Sequence, residues 1–277
     1  MITMNTKVGY KVGYKVGYKV CMLLLLLVMG AATAQAAEHA DTIKLRVMTY
    51  NLRLGELATL EELAAHISSF KPDVVCLQEV DIHTKRAMCP HQNGKDFIST
   101  LAYNTGMFGI YGKTINYRGG YEGIGMLTRF PYINIKKVPL PNPHNTEPRV
   151  ALVVNCEVGA DTLCFAATHL DVVAIETRNI QANYLCDLLQ QQPYPVVLAG
   201  DFNARHYTET IQKIMNKRMA PMTNDDMTFP AWNPFLKLDY IYTWPIDQWH
   251  LKHTQTVQSL LSDHLPIVSD IIYVKKH

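Results

Sequence analysis

The sequence predicts one single-core, layered domain built on β-sheet, and three observations predict it. Short apolar runs of strand length recur along the chain, among them residues 74–77 and 195–199. Residues 59–70 and 178–190 repeat apolar positions at helical spacing instead. Once an N-terminal leader is set aside, 241 of the 277 residues remain, and no Pro, Gly or charge-rich linker divides them. All-β and layered α/β domains both hold together around one core at that size.

The leader is residues 1–36. Three copies of Lys-Val-Gly-Tyr and a fourth Lys-Val give a basic lead-in, residues 21–30 are apolar, and Ala34-Gln35-Ala36 is a small-residue cleavage site. That is the order of a secretory signal peptide. The expectation is cleavage near residue 36 and export to the periplasm, cell surface or medium, with residues 37–277 as the folded domain. The apolar run falls short of the roughly 20 residues of a spanning helix, which makes an uncleaved anchor the lesser alternative. Cys21 precedes the apolar core, where a lipoprotein would have its cysteine after it.

The leader also carries the basicity. Lys7, Lys11, Lys15 and Lys19 are its only charges, so the formal +2 of the whole chain becomes −2 for residues 37–277. A near-neutral domain gives no global electrostatic case for a nucleic-acid partner. Five cysteines remain, an odd number without zinc-type spacing. Cys76 and Cys186 sit in apolar patterns as core thiols. Cys156 and Cys164 flank the turn Gly159-Ala160-Asp161, where an oxidising compartment permits a disulfide.

Taken in order, residues 43–50 alternate as a strand and run into Asn51. Thr59 and Glu62 form a capping box for the helix at 59–70, which Lys71-Pro72-Asp73 stops. The buried strand at 74–77 ends in Gln78-Glu79. Residues 81–93 are polar and read as a surface excursion, and 96–105 as a short helix. Residues 113–123 are rich in Gly and Tyr, and Glu122 precedes a strand at 124–128. Residues 150–158 and 162–168 form a hairpin ending in His169. The helix at 178–190, with Ile180, Tyr184, Leu185, Leu188 and Leu189 as its apolar positions, leads into strand 195–199 and Gly200-Asp201-Phe202-Asn203. A helix at 208–216, a loop with Phe229-Pro230 and Trp232, a strand opening at Leu238-Asp239, and a last strand at 265–272 directly after Ser262-Asp263-His264 complete the chain.

Five strands thus carry a polar residue fit for metal or proton chemistry at one end: Asn51, Glu79, His169, Asp201 with Asn203, and Asp263 with His264. Asp239 and Glu122 add two more. Turn preference accounts for Asp and Asn singly. It does not account for His and Glu in the same places, whereas one rim of a layered sheet would gather all of them.

At this point the chain resembles the endonuclease/exonuclease/phosphatase superfamily, the deoxyribonuclease I-like group. The matching pieces are Met48-Thr49-Tyr50-Asn51, Leu77-Gln78-Glu79, Thr168-His169-Leu170-Asp171, Gly200-Asp201-Phe202-Asn203, Leu238-Asp239-Tyr240-Ile241 and Ser262-Asp263-His264-Leu265-Pro266. Gln78-Glu79-Val80-Asp81, Arg86, Lys113, Gly119-Gly120, Glu147-Pro148-Arg149 and Thr228-Phe229-Pro230-Ala231 look most like its secreted bacterial members. The resemblance implies a four-layered α/β sandwich, two mostly antiparallel sheets face to face with helices outside.

It also implies a hydrolase of phosphoric esters, whether phosphodiesterase, nuclease or phosphatase. Glu79, with Asn51 and Asp263, would hold Mg²⁺, for which Mn²⁺ can substitute; so sparse an oxygen set suits magnesium, which keeps several waters. His264 would pair with Asp239, and His169, oriented by Glu122, would hold the phosphate. Asp201 or the His264–Asp239 pair would activate water, and Asn203 would donate to the phosphate or orient that water. Arg86, Lys113, Tyr117 and Arg149 are substrate-contact candidates, with Tyr121 and Trp232 as stacking residues. The implied partner is a phosphoester, in nucleic acid, a phospholipid head group or a phosphorylated sugar or inositol, met by a monomer. The alternative is a secreted binding protein that keeps the fold without turnover.

Overall fold

The computed structural model describes residues 42–276. The signal-peptide and cleavage expectations lie outside the described residues. Strands β1 (Thr42–Asn51), β2 (Val74–Ile82), β3 (Phe108–Tyr117), β4 (Gly120–Thr128), β11 (Trp249–Thr256) and β12 (Ile267–Val274) form one sheet in the order β11-β12-β1-β2-β4-β3. Strands β5 (Tyr132–Pro139), β6 (Val150–Val158), β7 (Asp161–His169), β8 (Val196–Asp201), β9 (Ala220–Pro221) and β10 (Asp239–Trp244) form the second, in the order β5-β6-β7-β8-β10-β9. The β1–β2 and β7–β8 pairs are parallel. β2 packs on β7 and β8, and β4 on β6 and β7, so the sheets lie face to face.

Helices cover the outer faces. Helix α1 (Leu60–Ser69) starts where Thr59 Oγ1 accepts from Glu62 N and the Glu62 carboxylate accepts from Thr59 N, the capping box read from the sequence. Its Leu60, Leu63, Ala64 and Ile67 pack on Met48, Tyr50, Val75 and Leu77; each fully buried Leu or Ile contributes about 1.5–3 kcal/mol. Helix α2 (Phe97–Thr105), capped by Asp96, packs beside it. On the other sheet helix α3 (Ile175–Gln190) buries Ala182, Leu185, Cys186 and Leu189 against Val196 and Leu198. Ile180 and Tyr184, expected on that buried stripe, face solvent instead. The helix expected at 208–216 is a π-helical segment, Thr210–Met215, followed by a single turn at Asn216–Arg218. Among the described residues no helix is long and apolar enough to cross a membrane.

All five described cysteines are free and buried. In the β6–β7 register Cys156 faces Leu163 and Cys164 faces Asn155. Successive strand residues point to opposite faces, so the two thiols lie on opposite sides of the sheet and cannot be bridged.

Candidate active site

Register alone sets three strand ends side by side in the second sheet. His169 on β7 pairs with Asp201 on β8, and Asp201 with Asp239 on β10. Gly200 permits this closeness, because a Cβ there would stand 2.1 Å from the carbonyl oxygen of Thr168. On the first sheet β1 ends at Asn51. In β2 a bulge sets Gln78 and Glu79 against the single residue Ile124 of β4. Glu79 has φ +54° at this bulge, a device that re-aims a side chain at a sheet rim.

Hydrogen bonds join the two rims. Asn51 Nδ2 donates to Glu79 Oε1 at 3.1 Å and to Asp201 Oδ2 at 3.2 Å. Ser262 Oγ donates to Asn51 O at 2.7 Å, docking the Ser262-Asp263-His264 turn onto β1. From that turn His264 Nδ1 donates to Asp239 Oδ2 at 2.9 Å. The ring of His264 rests against Phe229, with centroids 4.8 Å apart. His169 Nε2 and His264 Nε2 both face Asp201 Oδ2, at 3.5 and 3.7 Å. Asn203, at φ +48°, takes the left-handed conformation Asn tolerates. One of its amide hydrogens goes to Leu170 O at 3.0 Å.

The two imidazoles are pushed in opposite directions from the ordinary histidine pKa. Burial works against a charge on His264, but Asp239 and then Asp201 outweigh it and push its pKa up to about 10. His169 is driven well below the ordinary range by burial, with Arg149 and His264 adding to the effect. Arg149 Nη1 lies 3.2 Å from His169 Nδ1. Arg149 can only donate, so Nδ1 is the acceptor and the proton of the neutral ring sits on Nε2, toward Asp201. Asp201 is raised by burial and by Asp239, against the pull of His264. Burial, with Asp263 and Glu122 adding to it, raises Glu79 to about 7 even though Asn51 and His264 oppose the rise.

The donor set fits a divalent cation at Glu79. No salt bridge among the described residues reaches this carboxylate, and Asp263 and Glu122 add negative charge around it. Asp201, Asp239 and His264 also come within 4.8 Å of one another. In that trio His264 Nδ1 is bonded to Asp239, which leaves Nε2 turned toward Asp201.

Of the expected site residues, Asn51, Glu79, His169, Asp201, Asn203, Asp239, Asp263 and His264 all lie at this junction. Two assignments change, those of Glu122 and Arg86. Glu122 does not orient His169; it pairs with Arg86, and Arg149 takes the place beside the ring. Arg86 is buried, bonded to Asp81 through two nitrogens at 2.6 and 3.0 Å, and stacked on Tyr117 with its guanidinium 3.9 Å from the ring centre. The cause is register: Asp81 and Glu122 are cross-strand neighbours, and two like charges so placed need a cation between them. The expected surface excursion at 81–93 therefore begins in the interior, with Asp81, Thr84, Arg86 and Gln92 all buried. Lys113 donates to Asn116 at 2.9 Å and covers the ring of Tyr121 on the β3–β4 hairpin. Arg53 was not foreseen; it bonds Asp263 Oδ2 at 3.0 Å and also pairs with Glu56. A lone Arg two residues past a strand end gives no pattern to read.

The family model for the Endonuclease/Exonuclease/phosphatase family matches residues 48–264. The chain belongs to this family. Endonuclease/exonuclease/phosphatase members are phosphoester hydrolases. Human nocturnin is 23% identical over 266 residues, covering 78% of this chain and 57% of nocturnin, so the chain spans little more than half of that relative. The uncharacterized protein YbhP of Escherichia coli K12 is 24% identical over 265 residues, 84% of this chain and 98% of YbhP. Among solved structures, the endonuclease/exonuclease/phosphatase from Beutenbergia cavernae superposes with a TM-score of 0.68 at 21% identity, covering 83% of this chain and 72% of that one. This last likeness speaks for the fold: two sheets of six strands with helices outside.

Proposed function

We propose that the chain is an exported, Mg²⁺-dependent hydrolase of phosphoric esters in which water attacks phosphorus in line with the leaving oxygen. The observation that carries this reading is the row Asp239–His264–Asp201. An imidazolium and a carboxylate of raised pKa stand 3.7 Å apart, close enough for both to reach one reacting group placed beside them.

His264 cannot serve as the base near neutrality, because Asp239 and Asp201 hold its proton. Its Nε2–H instead donates to a phosphoryl oxygen as negative charge builds there. Asp201 is then the acceptor for the proton of the attacking water, which Asn203 orients with its free amide hydrogen. Neutral His169, its tautomer set by Arg149, donates Nε2–H to a second phosphoryl oxygen. Glu79, supported by Asn51 and Asp263, would hold Mg²⁺, which supplies charge neutralisation at phosphate and leaving oxygens when bound.

A panel of plasmid DNA, RNA, sphingomyelin and phosphorylated inositols, each with Mg²⁺ or Mn²⁺, tests the reading. Hydrolysis of at least one, abolished by EDTA, is expected. No turnover on the whole panel, together with no Mg²⁺ binding, would favour a binding protein that kept the fold without the activity.

A further inference from the structure

We propose that the groove beside His264 takes the apolar chain of an amphiphilic phosphoester drawn from a lipid surface. The proposal rests on the hydrolase reading above. An open groove of about 560 Å³ begins at His264 and Asn203. One wall is the loop after β7, with Val172, Val173 and Ile175; the other is Phe229, Leu236 and Leu238. A polyanionic strand would call for cations and donors along such walls. Val172, Val173, Ile175, Phe229, Leu236 and Leu238 supply the apolar lining, while Arg178, which also lines the groove, is buried and donates to Asp171 O. Arg205, exposed at the groove and bonded to Tyr207 Oη at 2.7 Å, is placed for an anionic head group.

Both walls are held in shape. Asp171 accepts from the backbone N–H groups of Val173 and Ala174 at 2.8 and 2.6 Å, and Arg178 donates to Asp171 O at 3.0 Å. Across the groove Phe229 and Leu236 exchange two backbone hydrogen bonds of 2.9 Å. This closes a loop whose base lines the groove and which exposes Trp232 and, beside the closing pair, Phe235, at 61% and 62%. Val173, on the facing loop, is 76% exposed. Two hydrogen-bonded loops that line one opening and hold bulky apolar side chains out into water are suited to entering an apolar phase, with Trp at the boundary. The geometry lets a substrate slide from that phase into the groove, with its phosphate reaching His264.

The experiment compares three substrates on the full chain with Mg²⁺: a long-chain phosphodiester lipid in micelles, the same diester with short soluble chains, and bis(4-nitrophenyl) phosphate. The expected result is a kcat/KM at least tenfold higher for the long-chain lipid than for its short-chain counterpart. That ratio should collapse about tenfold in the double variant Trp232→Ser with Phe235→Ser, both of which are exposed. Equal or better turnover of the short-chain diester, with bis(4-nitrophenyl) phosphate hydrolysed, overturns the inference and leaves the hydrolase reading standing. Turnover of none of the three overturns both.

Discussion

His264 Nδ1 lies 2.9 Å from Asp239 Oδ2, a bond that joins the turn before β12 in one sheet to the first residue of β10 in the other. The charge state of the site depends on this contact, because burial alone would leave His264 neutral. Asp239→Asn keeps the shape and removes the charge. It is expected to lower kcat on the order of 10³-fold. It should also move the alkaline limb of the pH–rate profile, near pH 10 in the parent chain, down by one unit or more. An unmoved limb would separate Asp239 from His264.

Gly200→Ala tests how the rim is assembled. The added Cβ would meet Thr168 O at 2.1 Å, and a backbone carbonyl in a central strand pair cannot swing aside. Overpacking of this kind costs about 3 kcal/mol or more, a fall in Tm of roughly 6–12 °C for a domain of this size. Thermal unfolding reads it directly, and a Tm within a degree of the parent would mean that β7 and β8 can part at no cost.

What the sequence discloses follows from burial. Strands buried on both faces, such as β2 and β8, leave continuous apolar runs that stop abruptly at Glu79 and Asp201, so both the strand and its functional end are legible. The sequence shows no strand pattern for β3, β5, β9 and β11, and these four are the edges of the two sheets. All eight residues of β5 are exposed or half-buried, and in β11 only Trp249 is buried. With little to hide, an edge strand has no alternation to show, and Lys136 and Lys137 on β5 are the kind of charge that keeps an edge from pairing further. Contacts set by cross-strand register, such as Arg86 between Asp81 and Glu122 or Arg149 on His169, were equally hidden, since residue types do not reveal which strands are neighbours.

Arg86→Ala should act on stability before it acts on substrate. Asp81 would be left buried beside Glu122 with no cation between them. Breaking a buried pair from one side costs about 3–5 kcal/mol. Chemical denaturation should show that loss. A normal midpoint with a raised KM would instead return Arg86 to the role of a substrate contact.

Lys237 offers a test by pH. Its Nζ is buried without a hydrogen-bond partner, 4.7 Å from the centre of the Tyr240 ring, and burial lowers its pKa to about 8 even though Asp239 opposes the shift. The unfolded chain keeps the ordinary value of 10.5. Between these values the unfolded state binds more protons, so this residue's penalty is full below pH 8 and fades as pH rises toward 10.5. Lys237→Met should therefore be more stable than the parent by about 3 kcal/mol at neutral pH. The difference should shrink steadily above pH 8. A gap that stays constant to pH 10.5 would show that the amine is solvated.

The central claim is that Glu79 and His264, brought together from β2 and the turn before β12, form one metal-assisted hydrolytic site. Initial rates on bis(4-nitrophenyl) phosphate, with Mg²⁺ or with EDTA, in the parent chain and in Glu79→Ala and His264→Ala, test it most directly. The account predicts hydrolysis that EDTA abolishes and that each substitution lowers by about 10²-fold or more. Rates that are the same in both variants as in the parent, or indifferent to EDTA, would contradict it.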